Sequence, residues 1–369
     1  MKFNNYHRIS MKHGKLFSTS LITWDNTKNT RQMPWKGEKD PYKIWISEII
    51  LQQTRVQQGV NYYERFINEF PNVKSLATAP QKKIYKLWEG LGYYSRCKNL
   101  IETAKFINKN LEGKFPEEYE DILSLKGIGN YTASAIASFA YNKPYAVLDG
   151  NVFRVLSRFF GIEIPVNTSE GKKIYGQLSQ RLLDKKNPAT YNQAIMDFGA
   201  VVCKPLLPLC QECPLKKKCF AFLNNKTTFL PINNKKIKQT NRFFNYLVIE
   251  HKKKFYVNKR TQKDIWQNLY EFLLIETQFW QNKEDILTHP AFLTVSHDNK
   301  YIIKSESKEI HQKLTHQFIS GHFFHIVAKN PLKKSEKYFL VSREQLKLLP
   351  FPKLIASYFA DKNVSLNLI

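Results

Sequence analysis

Residues 203–219 read CKPLLPLCQECPLKKKC and gather four of the chain's five cysteines into one short segment. They stand at Cys203, Cys210, Cys213 and Cys219, a C-x6-C-x2-C-x5-C spacing. Clustered thiolates repel one another unless a cation binds them, and both zinc and iron–sulfur clusters accept four cysteine ligands. The spacing therefore predicts a metal or cluster site, with disulfide pairing as the weaker alternative.

The composition indicates a folded protein with a polyanionic partner. Hydrophobic residues make up 43% of the 369 residues, enough for ordinary globular cores, and the formal net charge is +26. This charge favours nucleic acid as the partner, whereas a coding bias toward lysine and asparagine is the alternative source of the lysine runs. The start of the chain lacks an apolar signal region, and no run reaches about 18 apolar residues, so we expect a cytoplasmic protein without a membrane partner.

Apolar residues recur with helical spacing from residue 40 to about 202, and glycines and prolines separate the predicted helices. Residues 1–22 are polar and basic and predict a flexible extension, followed by a helical domain at residues 23–223. Residues 224–240 predict an interdomain linker. Residues 241–369 predict a second domain of mixed α and β character, because aromatic and β-branched runs at 243–249 and 255–257 flank a polar turn.

A glycine turn connects two predicted helices at residues 125–132, which read LKGIGNYT. Gly127 and Gly129 allow a phosphate to approach the backbone, and the N-terminus of the following helix adds a partial positive charge. This is the helix-hairpin-helix pattern of DNA-binding proteins. A plain interhelical turn can have the same letters, so the turn gains specificity from the cysteine array that follows it.

Together these two segments resemble the helix-hairpin-helix base-excision glycosylases with a four-iron cluster, and specifically the A/G-specific adenine DNA glycosylases. The resemblance covers residues 31–222 and, more weakly, 241–350. It implies an all-α helix-hairpin-helix glycosylase core with an iron–sulfur cluster loop at residues 203–219, plus a C-terminal α+β NUDIX-like domain. It also implies a [4Fe-4S] cluster, double-stranded DNA with adenine opposite 8-oxoguanine or guanine as substrate, and a monomeric, nucleoid-associated enzyme of bacterial type.

Two carboxylates carry the chemistry that the resemblance implies. Glu48 lies in the family's most distinctive motif, WISEIILQQT at residues 45–54, and Asp149 lies in LDGNV at residues 148–152. Burial in an apolar helix raises the pKa of a Glu, so Glu48 can act as a general acid, while Asp149 can stabilise the positive charge that develops on the sugar. Without the motifs, Glu48 is typical of a surface residue and Asp149 of a helix cap.

Further residues match family positions around the reaction. Tyr131 and Asn151 match residues that orient the two carboxylates. Bifunctional members have a lysine where this chain has Tyr131, and a phenol cannot form a Schiff base, which predicts a monofunctional glycosylase. The positions that surround the extruded adenine or enter the duplex are Arg31, Trp35, Gln53, Thr54, Val56, Tyr93 and Gln193.

The C-terminal half resembles the family's lesion-reading domain. Thr315 and His316 match, imperfectly, a loop that ends in Ser-His and reads the oxidised guanine. In the first half, Lys36 stands where arginine is usual, which keeps the charge but loses a bidentate phosphate contact. Three alternatives stay open: a thymine-mismatch or oxidised-pyrimidine glycosylase of the same superfamily, a non-catalytic iron–sulfur DNA-binding protein, and a degenerate but folded relative of the adenine glycosylases.

Overall fold

The structure is a computed structural model that describes residues 2–234, 238–296, 301–333 and 336–361, with side chains described from residue 13 onward. The chain forms two compact units. The first consists of Met1–Thr78 and Asn99–Lys235, and the second consists of Ala79–Lys98 and Lys236–Ile369. No described helix combines the length and the apolar character that crossing a membrane requires.

Helices form the first half of the chain, which confirms the prediction from periodicity. In chain order they are α1 (Lys2–Lys28), α2 (Pro41–Leu51), α3 (Val56–Glu69), α4 (Val73–Thr78), α5 (Gln81–Leu87), α6 (Tyr94–Asn110), α7 (Tyr119–Ser124), α8 (Asn130–Tyr141), α9 (Gly150–Phe160), α10 (Ser169–Leu182), α11 (Pro188–Val201) and α12 (Phe220–Leu223). A short 3-10 helix, Lys216–Lys218, lies inside the cysteine loop.

The expectation of a flexible extension at residues 1–22 is wrong for the part that the structure describes. Helix α1 runs through these residues, and Phe17, Leu21 and Trp24 recur along one face of it. Phe17 and Leu21 are fully buried, and the ring of Phe17 lies 4.8 Å from that of Phe159 in α9. The basic and polar residues between these positions obscured an apolar stripe that packs into the core.

The second unit is built on a mixed sheet. Its described strands are β1 (Thr240–His251), β2 (Lys254–Lys259), β3 (Tyr270–Glu271), β4 (Leu273–Thr277), β5 (Tyr301–Glu306), β6 (Ile310–Lys313), β7 (Gln317–Ala328) and β8 (Phe339–Val341). The strand order is β3-β2-β1-β7-β5, with β4 also paired to β1, β6 to β7 and β8 to β2. Strands β1 and β7 run parallel, whereas the other pairs are antiparallel.

Helices cover both faces of this sheet. Ile286 of α13 (Lys283–Thr288) and Phe292 of α14 (Pro290–Leu293) pack on one face. On the other face the ring of Phe323 stacks on Tyr358 of α16 (Lys353–Ala360) at 4.2 Å, and the remaining described helix is α15 (Arg343–Lys347). The predicted hairpin is confirmed, since Glu250 pairs with Phe255 across the turn.

The two units do not follow the predicted domain boundaries everywhere. Residues 79–98 belong to the second unit, where the amide of Asn268 donates to the hydroxyl of Tyr85 (3.1 Å). The first part of the predicted linker belongs to the first unit, and the carbonyl of Leu230 accepts a hydrogen bond from Arg158 (3.0 Å). Linker residues 235–237, and residues 297–300, 334–335 and 362–369 of the predicted second domain, lie outside the described residues.

Candidate active site

A cleft of about 860 Å³ lies within the first unit. Its volume is typical of a site that encloses a ligand of nucleoside size or larger. Most of the residues predicted around the reaction line it: Arg31, Trp35, Glu48, Gln53, Thr54, Val56, Tyr131, Asp149, Asn151 and Gln193. Segments far apart in the sequence therefore meet in one place. Tyr93, Thr315 and His316 belong to the other unit and do not line this cleft.

Helix α2 holds Glu48 in a buried position. The side chain of Asp40 caps the helix by accepting a hydrogen bond from the backbone N–H of Tyr42 (2.9 Å). Glu48 is one of the buried residues of this largely apolar helix and is 7% exposed. Burial raises the pKa of Glu48 to about 7, a hydrogen bond from Tyr131 acts against this rise, and the charge of Asp149 adds to it. Both protonation states of Glu48 are therefore accessible near neutral pH, as a general acid requires.

Asp149 stands at the N-cap of α9 and is held by hydrogen bonds. One carboxylate oxygen accepts from the backbone N–H of Val152 and the other from the amide of Asn151, both at 2.8 Å. Burial raises the pKa of Asp149, while these hydrogen bonds stabilise its charged form. Asp149 therefore both caps α9 and lines the cleft. Two carboxyl groups with such different surroundings can take the roles of acid and anion.

Tyr131, in the first turn of α8, connects the glycine turn to the cleft. Its hydroxyl hydrogen-bonds to Glu48, and burial raises the pKa of this phenol well above its usual value. The same hydroxyl lies 3.5 Å from the sulfur of Met196. Tyr131 is therefore a neutral donor that fixes one side of the Glu48 carboxyl.

A buried arginine links the cleft to the cysteine loop. Arg154 donates to the side-chain oxygen of Asn151 (2.8 Å), the carbonyl of Cys203 (2.7 Å) and the carbonyl of Gly199 (2.8 Å). Asn151 in turn donates to Asp149. The orientation of the Asp149 carboxylate is thereby tied, through two side chains, to the start of the cysteine loop.

None of the four cysteines of the loop is paired in a disulfide bond. Burial raises the pKa of the Cys213 thiol to about 12, and the other three thiols add to this rise. Arg158 holds the loop by donating to the carbonyls of Lys204 (2.7 Å) and Pro205 (3.1 Å), and it lies 3.5 Å from the sulfur of Cys203. Among the residues that the structure describes, no group of three or more His, Cys, Asp or Glu side chains is arranged to hold a metal ion.

The predicted glycine turn is present between α7 and α8. Gly127 has φ +81°, and the backbone N–H of Ile128 donates to the carbonyl of Leu125 (3.1 Å). Gly129 is the N-cap of α8, with no side-chain cap and open space where a Cβ would stand. The first N–H groups of a helix have no partner inside it, so this end presents donors to an anion.

Two residues predicted to enter the duplex have left-handed backbone conformations, which non-glycine residues adopt rarely. Gln53 has φ +58° and Tyr93 has φ +47°. Near Tyr93 the indole of Trp88 donates to the carbonyl of Gly92 (3.1 Å), and the guanidinium of Arg96 lies 5.5 Å from the Tyr93 ring. These contacts hold an exposed aromatic side chain in a strained turn.

Thr315 and His316 lie between β6 and β7 of the second unit. The hydroxyl groups of Tyr93 and Thr315 are hydrogen-bonded at 2.8 Å, and the carbonyl of His316 accepts from the backbone N–H of Thr240 (3.0 Å). Two positions more than 200 residues apart in the sequence are thus in direct contact.

Several residues of the site were not predicted from the sequence. They are Arg154, Arg158, Met196 and Asp197. The available signal was a charged residue within an apolar helical stretch, as at Arg154 and Arg158 in GNVFRVLSRFF and at Asp197 in AIMDFGA. Such charges need partners when they are buried, and the partners come from distant segments.

The chain matches the family model for HhH-GPD superfamily base excision DNA repair proteins over residues 46–176 and the NUDIX domain model over residues 245–361. It is 36% identical over 272 residues to the adenine DNA glycosylase of Buchnera aphidicola, which covers 74% of this chain and 76% of that protein. It is 39% identical over 215 residues to the human adenine DNA glycosylase, which covers 56% of this chain and 39% of that protein.

Among solved structures, a thermostable thymine-DNA glycosylase is similar with a TM-score of 0.54 and 30% identity, over 58% of this chain and 99% of that chain. That likeness accounts for all but a small part of the shorter protein and leaves much of this chain unmatched. The likeness to the bacterial adenine DNA glycosylase is broader, and a NUDIX domain follows the helical one. The chain therefore belongs to the adenine DNA glycosylases, base-excision repair enzymes of the HhH-GPD superfamily that act on N-glycosyl bonds.

Proposed function

We propose that this glycosylase removes adenine mispaired with 8-oxoguanine or guanine from double-stranded DNA and leaves an abasic site. The observation that carries the proposal is Glu48, a buried carboxyl group with a pKa of about 7, in one cleft with Asp149. An acid and an anion together suit cleavage of an N-glycosidic bond, because the leaving base needs a proton and the sugar becomes positively charged. A non-catalytic DNA-binding protein would need neither group.

The reaction begins when the adenosine leaves the stack, since the bond is inaccessible inside the duplex. Glu48 then donates its proton to N7 of adenine, which makes the base a better leaving group. Asp149, held by Val152 and Asn151, stabilises the oxocarbenium-like sugar after the bond breaks. The deprotonated Glu48 next accepts a proton from the water that attacks the sugar.

Tyr131 supports a monofunctional reaction. It occupies the cleft beside Glu48 and supplies a phenol, whereas strand cleavage by a bifunctional glycosylase needs an amine that forms a Schiff base with the sugar. Treatment with borohydride during the reaction should accordingly trap no covalent complex with DNA. A trapped complex would contradict this part of the proposal.

The four cysteine thiols are suited to a [4Fe-4S] cluster. The charges of the neighbouring cysteines act on Cys213 and Cys219, so these side chains lie in one neighbourhood. The C-x6-C-x2-C-x5-C spacing matches that of the glycosylases with a four-iron cluster, which favours this cluster over zinc. When bound, the cluster would supply cationic charge that binds the four thiolates and order the loop that Arg154 and Arg158 contact. Equal amounts of iron and acid-labile sulfide, about four of each per chain, are expected, whereas zinc in their place would contradict the assignment.

Duplex DNA suits the charge of +26 and the open N-terminus of α8. We further propose that Gln53, Thr54 and Tyr93 enter the duplex at the lesion, and that Thr315 and His316 contact the base opposite the adenine. An inserted side chain offsets part of the cost of unstacking. The enzyme acts as a monomer in the cytoplasm, at the nucleoid.

The test is base release from a panel of labelled duplexes, each analysed with and without hot alkali. Alkali-dependent cleavage confined to the adenine strand of duplexes with adenine opposite 8-oxoguanine or guanine is expected. Activity on thymine mismatches or oxidised pyrimidines with none on adenine would contradict the proposal and favour a sister specificity. This control is needed because a thymine-DNA glycosylase shares the helical fold.

A further inference from the structure

One buried carboxylate holds the segment between α1 and α2 against α11. Asp197 is fully buried, and its two oxygens accept hydrogen bonds from Arg31 (2.7 Å), Lys36 (3.1 Å) and Asn29 (2.9 Å). All three donors come from the segment of residues 29–36, and none comes from the helix that carries Asp197. A buried charge is tolerated when it is paired and hydrogen-bonded, and here a single segment supplies these three partners.

The segment that Asp197 holds has neither helix nor strand at residues 29–33 and a turn at residues 34–37. It supplies Arg31, Met33 and Trp35 to the wall of the cleft. Its other contacts include a hydrogen bond from the backbone N–H of Lys36 to the carbonyl of Met33 (3.0 Å) and the packing of the Trp35 ring edge against Tyr63 (5.3 Å). An irregular segment needs such anchors to keep its side chains in one geometry.

The anchor also decides what the two cations can do. The amine of Lys36 contacts Asp197 (3.1 Å), the carbonyl of Arg31 (3.3 Å) and the carboxylate of Asp25 (3.8 Å). Lys36 is thereby directed into the protein, which differs from the phosphate contact considered from the sequence. Arg31 uses one nitrogen on Asp197, and a guanidinium has five N–H donors in a fixed plane. The bond to Asp197 therefore sets how the remaining donors face the cleft.

We propose that Asp197 is a positioning residue for base recognition: it acts through Arg31 and Lys36 to hold residues 29–36 as a rigid wall of the base pocket. This inference rests on the proposed function, because the wall is assigned to the extruded adenine. Gln193 lies one helical turn before Asp197 on α11 and lines the same cleft. Helix α11 thus contributes Gln193 directly to the wall of the cleft, and its buried Asp197 holds residues 29–36, which form another part of that wall.

The test compares Asp197→Asn with Asp285→Asn in the full chain. Both changes remove one negative charge, but Asp285 is exposed and lies in the second unit. Asn keeps one acceptor and loses the charge that pairs with Arg31 and Lys36. We expect Asp197→Asn to lower the single-turnover rate of adenine release by about 10- to 100-fold, since a wall displaced by a fraction of an ångström misplaces the base. Asp285→Asn should stay within twofold of the unsubstituted chain.

A double-mutant cycle separates positioning from a general loss of structure. If Asp197 acts through Arg31, Arg31→Gln combined with Asp197→Asn should be little slower than the slower single variant. Rates that multiply, or an Asp197→Asn rate within twofold of the unsubstituted chain, would overturn the inference.

Hydrogen–deuterium exchange gives a readout that does not depend on adenine release. Peptides that cover residues 29–36 should exchange faster in Asp197→Asn than in Asp285→Asn, while peptides from the second unit stay unchanged. Unchanged exchange at residues 29–36 would overturn the inference even if activity fell. If the unsubstituted chain released no adenine, the proposed function would fail, whereas the exchange comparison would still test the anchor.

Discussion

At the scale of single residues, the site depends on two carboxyl groups in unequal surroundings. Glu48 is buried, and the hydroxyl of Tyr131 donates a hydrogen bond to its carboxyl. Asp149 accepts from Val152 and Asn151, which favour its charged form. This inequality supports the proposed roles of Glu48 as the acid and Asp149 as the anion, because burial favours the protonated form of a carboxyl group.

The pKa of Glu48 predicts the pH dependence of base release. Burial raises this pKa from 4.5 to about 7, so the protonated form needed to donate to the base predominates below about pH 7. Single-turnover rates should fall by about tenfold per pH unit above that value, provided that Asp149 stays ionised. A rate that rises through pH 7, or that shows no inflection between pH 6 and 8, would contradict the role of Glu48 as the acid.

At the scale of elements, the two glycines of the turn between α7 and α8 have different structural surroundings. At Gly127, φ is +81° and a Cβ would lie 2.7 Å from the Cβ of Asn99. At Gly129, φ is −107° and no atom lies within 4 Å of a Cβ. A glycine is therefore needed for the local structure at the first position and not at the second.

This contrast predicts different effects of the two alanine variants. Gly127→Ala should lower the free energy of unfolding by about 1–3 kcal/mol, because both the backbone and Asn99 must adjust. Gly129→Ala should change it by less than about 0.5 kcal/mol while weakening duplex binding several-fold, since its methyl group occupies the approach to the N-terminus of α8. Thermal melting and fluorescence anisotropy measure the two effects. Unchanged binding by Gly129→Ala would argue against a phosphate at this turn.

The N-terminal helix gives a second prediction at this scale. Phe17 is fully buried, whereas its neighbour Leu16 is 45% exposed. Phe17→Ala should destabilise the first unit by about 3–5 kcal/mol, because it leaves a cavity against α9. Leu16→Ala, the matched control, should cost less than about 1 kcal/mol. Denaturant unfolding of both variants measures the difference, and similar costs would mean that α1 does not belong to the core.

Element boundaries show what the sequence could and could not predict. The helical half, the glycine turn and the hairpin between β1 and β2 have local signals, since spacing and turn residues specify them. The prediction of a flexible extension at residues 1–22 was wrong, because lysines and serines separate the few apolar residues of α1 and obscure their helical spacing. The roles of Arg154 and Asp197 were not predictable, because partners such as Cys203 for Arg154 and Asn29 for Asp197 lie in segments that only the folded chain brings together.

At the scale of the whole molecule, the charge of +26 predicts a strong salt dependence of DNA binding. The logarithm of the affinity should fall linearly with the logarithm of salt concentration, and six or more phosphate contacts would lower affinity by about a thousandfold between 50 and 200 mM. Lys217→Gln with Lys218→Gln, both within the cysteine loop, should reduce the slope by about two. The matched pair Lys329→Gln with Lys347→Gln should leave it unchanged. Equal slopes for the two double variants would mean that the lysines of the loop make no phosphate contacts and reflect only the lysine-rich composition of the chain.

The sequence predicted the two halves of the chain but not which unit each segment joins. The prediction of a helical half followed by an α+β half was correct. Residues 79–98, however, belong to the second unit although they lie within the helical half of the sequence. Their partners include Asn268 and Phe351, whose backbone N–H donates to Glu89 (2.8 Å). No local pattern in residues 79–98 indicates such contacts, because they depend on residues more than 180 positions away.

The most direct test of the central claim is the release of free adenine from a duplex with adenine opposite 8-oxoguanine, measured in single turnover for the unsubstituted chain and for Glu48→Gln. Gln keeps the size and hydrogen bonding of the side chain but cannot donate the proton. The account predicts release by the unsubstituted chain and a rate lower by about 10² to 10⁴ for Glu48→Gln, with DNA affinity within a few-fold. Equal rates for the two proteins would contradict the assignment of Glu48 as the catalytic acid.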